Sequence, residues 1–244
     1  VLLDDEKKIS SGKIRDIAQQ VKKARDAGTE VIIVSSGAVG CGMETIGITR
    51  KPKEIAKKQA LASVGQVLLM KMYRENFEKK GMKVSQILLT HEDIKNKTRC
   101  LNLTNTLDTL LRMGIVPVIN ENDALSFTEI KFGDNDNLSA LIAQIVSADL
   151  LLILSDVEGL YDCDPNRNPN AKMIPVVRRI DEDIECSAAQ SASEKSVGGM
   201  ISKLEAAKKA GMYGIPTRVV LGGKADVILK VLARPRAPSI SAAS

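Results

Sequence analysis

The sequence has very few aromatic residues: Phe, Trp and Tyr together make up 2% of its 244 residues, and Trp is absent. The core must therefore be built from aliphatic side chains, as in buried parallel sheets rich in Val, Ile and Leu. Binding of single-stranded nucleic acid depends on bases that stack on aromatic rings, so this class of function is disfavoured.

Other absences restrict the class further. No apolar run reaches the roughly 18 residues of a membrane-spanning helix, and the first residues are too acidic for a signal peptide. The cysteines show no CxxC spacing, which favours a reduced compartment over a disulfide framework or a zinc site. We therefore expect a cytoplasmic protein without a membrane anchor. The four cysteines are Cys41, Cys100, Cys163 and Cys186.

The charge is moderately basic, with a net charge of +5 and a pI of about 9.0. Such a balance is compatible with nucleic acid, anionic lipid or a phosphorylated ligand. The lysines are spread along predicted helices and do not form one cluster, so we interpret them as solvated helix faces and expect no nucleic-acid partner.

Apolar runs and helical periodicities alternate along the chain. This order predicts an α/β fold, a three-layer α/β/α sandwich with a mainly parallel central sheet. One domain is expected over residues 1–232, and the tail at 233–244, rich in Pro, Ser and Ala, is expected to be disordered. The predicted strands are 31–34, 84–89, 115–119, 150–154 and 217–221; the predicted helices are 12–27, 52–80, 101–113, 137–147, 200–209 and 227–232.

Two polar clusters adjoin apolar segments, one after a predicted strand and one before a predicted helix. The strand at 115–119 runs into Asn120–Asp123, and a second cluster at 134–137 opens a helix. Carboxylates and amides at the carboxyl end of a strand and at a helix start are typical of the ligand crevice of open α/β sheets. One residue suffices for an N-cap, so the excess suits an ammonium group, a polar small molecule or the orientation of a lysine.

A glycine pair precedes Lys203 at a predicted helix start. Glycines there expose N–H groups at the positive end of the helix dipole, which favours an anion. A lysine within roughly one turn of that end is disfavoured unless an anion compensates it. We interpret Gly198, Gly199 and Lys203 as a phosphate site, and we expect Lys203→Ala to leave the fold no less stable.

Three further features have plain interpretations. The small-residue segment 35–42 is interpreted as a tight turn, because its GxxGxG spacing is neither a dinucleotide fingerprint nor a Walker A loop. Gln66 lies in the middle of a predicted helix and could reach either a ligand or solvent. His91, the only histidine, is expected in a surface loop rather than in a metal site.

Five motifs together resemble the glutamate 5-kinases of the amino acid kinase family, over nearly the whole chain to about Leu232. The resemblance implies ATP-dependent phosphorylation of the γ-carboxylate of L-glutamate to γ-glutamyl phosphate, the first step of proline biosynthesis. It also implies Mg²⁺ bound to the nucleotide phosphates, a homo-oligomer (dimer or tetramer) and feedback inhibition by proline. The motifs are SSGAVGCG, INENDA, TEIKFGDNDNLSA, LSDVEGLYDCDP and GGMISK.

The resemblance also implies residue roles. Ser36, Asp123 and Asn135 would bind glutamate. Lys203 would stabilise charge on the transferring phosphoryl group, and Asp136 would hold the catalytic lysines in place. No general base is expected, because the attacking carboxylate is already ionised at neutral pH. The residues expected to bind ATP are Ser155, Asp156, Val197, Gly198, Gly199, Met200, Ile201, Ser202 and Lys203.

Departures from the family leave alternatives open. The family's first strand, with its Lys and phosphate-binding loop, does not appear in this sequence, which begins just after the position that the strand would occupy. Val197 stands where Thr is common. A kinase acting on acetylglutamate or aspartate is the nearest alternative, and NENDA with GDNDN argues against it. The other is an amino-acid sensor without turnover, against which the presence of Asp136 and Lys203 argues.

Overall fold

The structure is a computed structural model that describes residue 2 and residues 10–125, 135–163, 168–190 and 199–233. The chain forms two compact units, Val1–Lys131 and Phe132–Ser244. Most of the predicted tail at 233–244 lies outside the described residues, as do Val197 and Gly198 of the predicted nucleotide-binding segment. The single domain over residues 1–232 therefore stays a prediction.

The first unit contains a parallel sheet of three strands, β1 (Ile33–Val34), β2 (Val84–Leu89) and β3 (Val116–Glu121), in the order β1-β3-β2. The central strand β3 is buried along nearly its whole length, as is typical of a parallel sheet covered on both faces. The helices are α1 (Ser11–Asp26), α2 (Ala38–Ile46), α3 (Ile55–Glu78), α4 (His91–Lys95) and α5 (Lys97–Arg112).

Helices α1 and α3 form the core of the first unit with one face of β3. The Ser10 hydroxyl caps α1 by accepting from the backbone N–H of Lys13, and the helix then buries Ile14, Ala18 and Val21. These side chains pack with Leu69, Tyr73 and Phe77 of α3 and with Val116 and Val118 of β3. Helix α5 also contacts β3.

Helices α2 and α3 approach so closely that only glycine fits at two positions. A Cβ on Gly42 would lie 1.9 Å from the Leu61 carbonyl oxygen, and one on Gly65 would lie 1.9 Å from the Ala38 carbonyl oxygen. No side chain separates the two backbones there. The start of α2 is therefore held directly against the middle of α3.

The second unit contains a parallel pair, β4 (Leu151–Ser155) with β7 (Thr217–Leu221), and an antiparallel pair, β5 (Leu160–Tyr161) with β6 (Met173–Ile174). Its helices are α6 (Asn135–Ile145), α7 (Glu182–Gln190), α8 (Gly199–Gly211) and α9 (Val227–Leu232). Ala140 and Ala143 of α6 pack with Ala206 and Ala210 of α8 against Leu151 and Ile153 of β4. The predicted α/β class with mainly parallel pairing is confirmed.

Two local expectations were wrong. The segment 35–42 is not a turn throughout, because α2 begins at Ala38. His91 does not lie in a loop but begins α4, which Thr90 and Asp93 stabilise through a reciprocal capping box. In the described part of the chain, no helix has the length and hydropathy needed to cross a membrane.

We expect Gly65→Ala to destabilise the protein by about 2–3 kcal/mol, because the added methyl group overlaps the Ala38 carbonyl oxygen and forces α2 away from α3. Urea denaturation measures the free energy of unfolding. Gly12→Ala in α1 is the control, since its Cβ has ordinary contacts and alanine favours a helix. An unchanged denaturation midpoint for Gly65→Ala would contradict the close approach.

Candidate active site

The carboxyl ends of β1 and β3 lie side by side in the first unit. Val34 pairs with Ile119, and the Ser35 N–H donates to the Ile119 carbonyl oxygen at 2.8 Å, so the parallel pairing continues beyond β1. Ser36 follows at the end of one strand, and Asp123 follows shortly after the other. Carboxyl ends of neighbouring parallel strands are where α/β sheets bind ligands.

The backbone turns sharply after Ser36. Gly37 is the N-cap of α2 and has a φ of 112°, a conformation that L side chains rarely adopt. Ser36 itself is exposed, whereas Ser35 is buried. The turn thus leaves the Ser36 hydroxyl accessible beside the N-terminus of α2, a position suited to an anionic group.

Asp123 is half-buried, and burial raises the pKa of its carboxyl group to about 6. The neighbouring charge of Glu121 raises the pKa further, and Lys51 opposes the increase. A carboxylate whose ionised form is disfavoured in this way gains when a cation binds beside it. Asp123 is therefore chemically suited to an ammonium group.

The side-chain amide of Asn120 is buried, and both its nitrogen and its oxygen form hydrogen bonds. Its Nδ2 donates to Gln66 Oε1 at 3.0 Å, and its Oδ1 accepts from the Glu121 N–H at 2.9 Å. Gln66 is also buried, so the expectation that it reaches a ligand or solvent was wrong: its side chain meets the end of β3.

In the second unit, Asp136 near the start of α6 meets two residues of α8. Lys203 Nζ lies 2.9 Å from Asp136 Oδ2, and the Ser202 hydroxyl donates to the same oxygen at 3.0 Å. The side chains of Lys203 and Asp136 are only 12% and 15% exposed. The structure thus brings together two residues with predicted catalytic roles and one with a predicted nucleotide-binding role.

Lys203 also donates to the Gly199 carbonyl oxygen at 3.1 Å. This geometry predicts the opposite of the expectation that Lys203→Ala leaves the fold no less stable. The helix start was expected to need a bound phosphate to compensate the cation, but Asp136 supplies a compensating anion within the protein. Lys203 is consequently held in place before any ligand binds.

A second set of polar contacts joins the same two helices. Lys209 Nζ donates to Asn137 Oδ1 at 2.7 Å, and Asn137 Nδ2 donates to Glu205 Oε2 at 3.3 Å. Asn137 directly follows Asp136, so these bonds fix the first turn of α6 against α8. The orientation of Asp136 therefore depends on contacts along both helices.

Asn135 begins α6, and its Oδ1 atom is buried. Within the described part of the chain, no group donates a hydrogen bond to this oxygen. A buried carbonyl oxygen without a donor costs free energy, which a ligand carrying an N–H group would recover.

Ser155 and Asp156 lie at the carboxyl end of β4. The Ser155 carbonyl oxygen accepts from the Gly222 N–H at 2.8 Å, which joins the end of β4 to the residue after β7. The Ser155 hydroxyl is buried, and the Asp156 side chain is exposed. Beyond them, Lys224 Nζ lies 2.5 Å from Glu158 Oε1.

The start of α8 holds the remaining residues with predicted nucleotide-binding roles that the structure describes. Gly199 is its first residue, Met200 packs inward with Leu160 and Ala188, and Ile201 is exposed. The Met200 side chain is therefore part of the core, so only the Met200 backbone could contact a ligand.

Sequence reasoning did not predict the hydrogen-bond partners of three residues that support the site. Gln66 and Tyr73 touch the two strand ends of the first unit, and Asn137 supports Asp136 in the second. Their polar side chains within apolar helical faces were the available signal, because a buried polar group needs a partner.

The chain belongs to the amino acid kinase family, whose sequence profile matches residues 2–221. Within that family it is similar to proteins named glutamate 5-kinase. The one from Geobacter metallireducens is 48% identical over 233 residues, which are 96% of this chain and 62% of the relative. The one from Thermus thermophilus is 47% identical over 233 residues, 95% of this chain and 62% of the relative. The chain thus spans less than two thirds of the length of these relatives.

Solved structures show the same fold. Carbamate kinase from Giardia lamblia bound to AMP-PNP has a TM-score of 0.65 and 14% identity, with 94% of this chain and 92% of that chain covered. An isopentenyl phosphate kinase has a TM-score of 0.61 and 17% identity, with 92% and 87% covered. The predicted amino acid kinase-like α/β/α fold is confirmed.

We expect Lys203→Ala to lower the free energy of unfolding by about 1–3 kcal/mol, because it removes a charged hydrogen bond from the poorly exposed Asp136. Lys208→Ala is the matched control on the same helix. Lys208 pairs with Glu185, but the side chains of that pair are 49% and 52% exposed, so its loss should cost about 0–0.5 kcal/mol. Equal losses in urea denaturation would show that the Asp136 pair contributes no more than a surface pair.

Proposed function

We propose that this chain carries glutamate 5-kinase activity, the transfer of the γ-phosphoryl group of ATP to the γ-carboxylate of L-glutamate. The observation that supports it most is the similarity to relatives named glutamate 5-kinase over at least nine tenths of the chain. The product would be γ-glutamyl phosphate, in the first step of proline biosynthesis. The site chemistry agrees with this assignment.

Glutamate is an ammonium ion at one position and a carboxylate at two others. In the first unit, the Asp123 carboxylate is an acceptor suited to the ammonium group. In the second unit, Asn135 enters through the resemblance, and its buried Oδ1 is suited to a ligand N–H group. The exposed Ser36 hydroxyl, beside the N-terminus of α2, is a donor suited to a carboxylate. We assign Ser36, Asp123 and Asn135 to glutamate binding on this chemistry.

Phosphoryl transfer needs cations and positioned donors more than covalent chemistry. Lys203 supplies an ammonium group whose position Asp136 fixes, so little reorganisation is needed as charge grows on the transferring group. No general base is required, because the attacking γ-carboxylate is ionised at neutral pH. We therefore assign catalysis to Lys203 and its positioning to Asp136.

ATP is assigned to Ser155, Asp156 and the segment 197–203, of which the structure describes residues 199–203. Mg²⁺ would enter on the nucleotide phosphates and keep several of its waters. The described residues hold no group of three His, Cys, Asp or Glu side chains that fits a metal.

The remaining implications of the resemblance stay predictions. They are a homo-oligomeric state and feedback inhibition by proline. The cytoplasmic location expected from the cysteines also stays a prediction. Acetylglutamate and aspartate kinases share the family, so the substrate class must be tested together with the reaction.

The direct test is an assay of ADP release and of γ-glutamyl hydroxamate formation with ATP and Mg²⁺. Glutamate, acetylglutamate and aspartate are offered in parallel. Turnover with glutamate alone supports the proposal. Turnover with another acid would reassign the substrate, and binding of glutamate and ATP without turnover would identify a sensor.

Lys203→Ala should lower kcat by about 10²–10³-fold and change the KM for ATP much less, because the lost cation acts on charge that develops in the transition state. Steady-state kinetics at saturating glutamate measure both constants. Lys208→Ala, an exposed lysine on the same helix, should keep the wild-type kcat. A wild-type kcat for Lys203→Ala would remove its catalytic assignment.

The KM for glutamate should fall as the pH rises through about 6, because Asp123 loses its proton there and only its ionised form attracts the substrate ammonium group. The ammonium group itself keeps its charge over this range. Initial rates between pH 5 and 8 in the wild type and in Asp123→Asn provide the measurement. The variant should have a higher KM with no step near pH 6; the same step in both would assign it to another group.

A further inference from the structure

Helix α3 touches both strand ends of the first unit through two buried polar side chains. Gln66 and Tyr73 lie about two turns apart on the helix and so point to the same side. Gln66 Oε1 accepts from Asn120 Nδ2 at 3.0 Å, and the Tyr73 hydroxyl lies 3.0 Å from Ser35 Oγ. Ser35 and Asn120 follow a paired position in neighbouring parallel strands, so the two contacts meet the sheet at one level.

Each contact continues into the backbone that leads to a residue assigned to glutamate. The Ser35 hydroxyl contacts the Ser36 carbonyl oxygen at 3.3 Å as well as the Tyr73 hydroxyl, and either hydroxyl of the latter pair can be the donor. Asn120 Oδ1 accepts from the Glu121 N–H at 2.9 Å, at the start of the segment that carries Asp123. The side chains of α3 thereby restrain the chain on both sides of the strand edge.

We propose that Gln66 and Tyr73 are positioning residues that fix the Ser35–Ser36 and Asn120–Asp123 segments for binding of the amino-acid substrate. The proposal rests on the proposed function for the identity of that substrate. Neither side chain is assigned a contact with the substrate itself, since both lie in the interior.

Core packing alone does not require these polar groups. Tyr73 is 1% exposed and packs beside Phe77, and the phenyl ring of a phenylalanine would fill the same space without a hydroxyl to satisfy. Gln66 is 8% exposed, and methionine matches its length without an amide. Burial of a hydroxyl and an amide costs free energy unless each is bonded, and both are bonded to strand ends.

The helix that carries these groups is itself firmly placed. Gly65, the residue before Gln66, allows the α2 backbone to approach α3 directly, and α2 begins at the turn after Ser36. Helix α3 is therefore attached to the Ser36 turn through a side chain and through the backbone of α2. A fixed supporting helix is what precise placement of binding groups requires.

The test compares Gln66→Met and Tyr73→Phe with the control variant Asn76→Ala. Asn76 is also a buried polar residue of α3, but its Nδ2 donates to Ser11 Oγ and to the Met72 carbonyl oxygen, away from both strand ends. Asn76→Ala therefore shows how loss of a buried hydrogen bond in α3 changes the KM for glutamate through protein stability alone. The KM for glutamate, the KM for ATP and the melting temperature are measured for each variant.

We expect the KM for glutamate to rise roughly 3- to 10-fold in Gln66→Met and in Tyr73→Phe, the change that loss of one hydrogen bond corresponds to. The KM for ATP and kcat should change less than twofold. Asn76→Ala should lower the melting temperature without raising the KM for glutamate. A rise in KM no larger than that of Asn76→Ala would overturn the proposal.

Amide hydrogen exchange without substrate tests the same positioning independently of activity. In Gln66→Met, exchange of the Glu121 amide should accelerate. In Tyr73→Phe, exchange of the Ser35–Gly37 amides should accelerate. Exchange of the α5 amides should be unchanged in both variants. Acceleration spread evenly over the first unit would show a loss of stability only and overturn the proposal. If the wild type does not phosphorylate glutamate, the proposed function fails, and the exchange pattern alone decides whether α3 positions the strand ends.

Discussion

The direct contact between the backbones of α2 and α3 is the constraint on which the first unit depends. Gly42 and Gly65 remove the side chains that normally separate helices, so the relative position of the two helices has little freedom. Because only the turn 35–37 separates β1 from α2, this contact also restrains the position of the carboxyl end of β1. The hydrogen bonds from Tyr73 to Ser35 and from Gln66 to Asn120 then start from a helix whose position is fixed.

The second unit uses charge for the same purpose. Asp136 is held by two donors from α8, and its neighbour Asn137 is bonded to Lys209 and Glu205. Such a network is satisfied without a ligand, so its geometry is set when the unit folds. Placement of charge before the reaction is the usual source of electrostatic catalysis. The two units thus fix their candidate site residues by different means, close packing in one and ion pairing in the other.

The sequence predicts regular elements well and long-range pairs poorly. The strands Val84–Leu89 and Thr217–Leu221 and the helix Val227–Leu232 match their predicted bounds, because short apolar runs and helical periodicity are local signals. Helix α2 was not predicted, because its glycines are typical of a turn. In the structure, Gly42 allows close contact with α3, which is distant in sequence. The bonds Ser35–Tyr73 and Asn120–Gln66 join residues 38 and 54 positions apart, and no local pattern identifies such partners. The excess of carboxylates and amides at 134–137 suggested the orientation of a lysine, but the particular pair Asp136–Lys203 came only from the resemblance to a family.

Burial of Asp123 has a further consequence for energetics. With a pKa of about 6, this carboxyl group carries a proton in part of the molecules under mildly acidic conditions. A cation that binds it favours the ionised form and so displaces that proton into the solvent. Binding of a cation at Asp123 would then release protons near pH 6, and its apparent enthalpy would include the heat of protonation of the buffer that receives them.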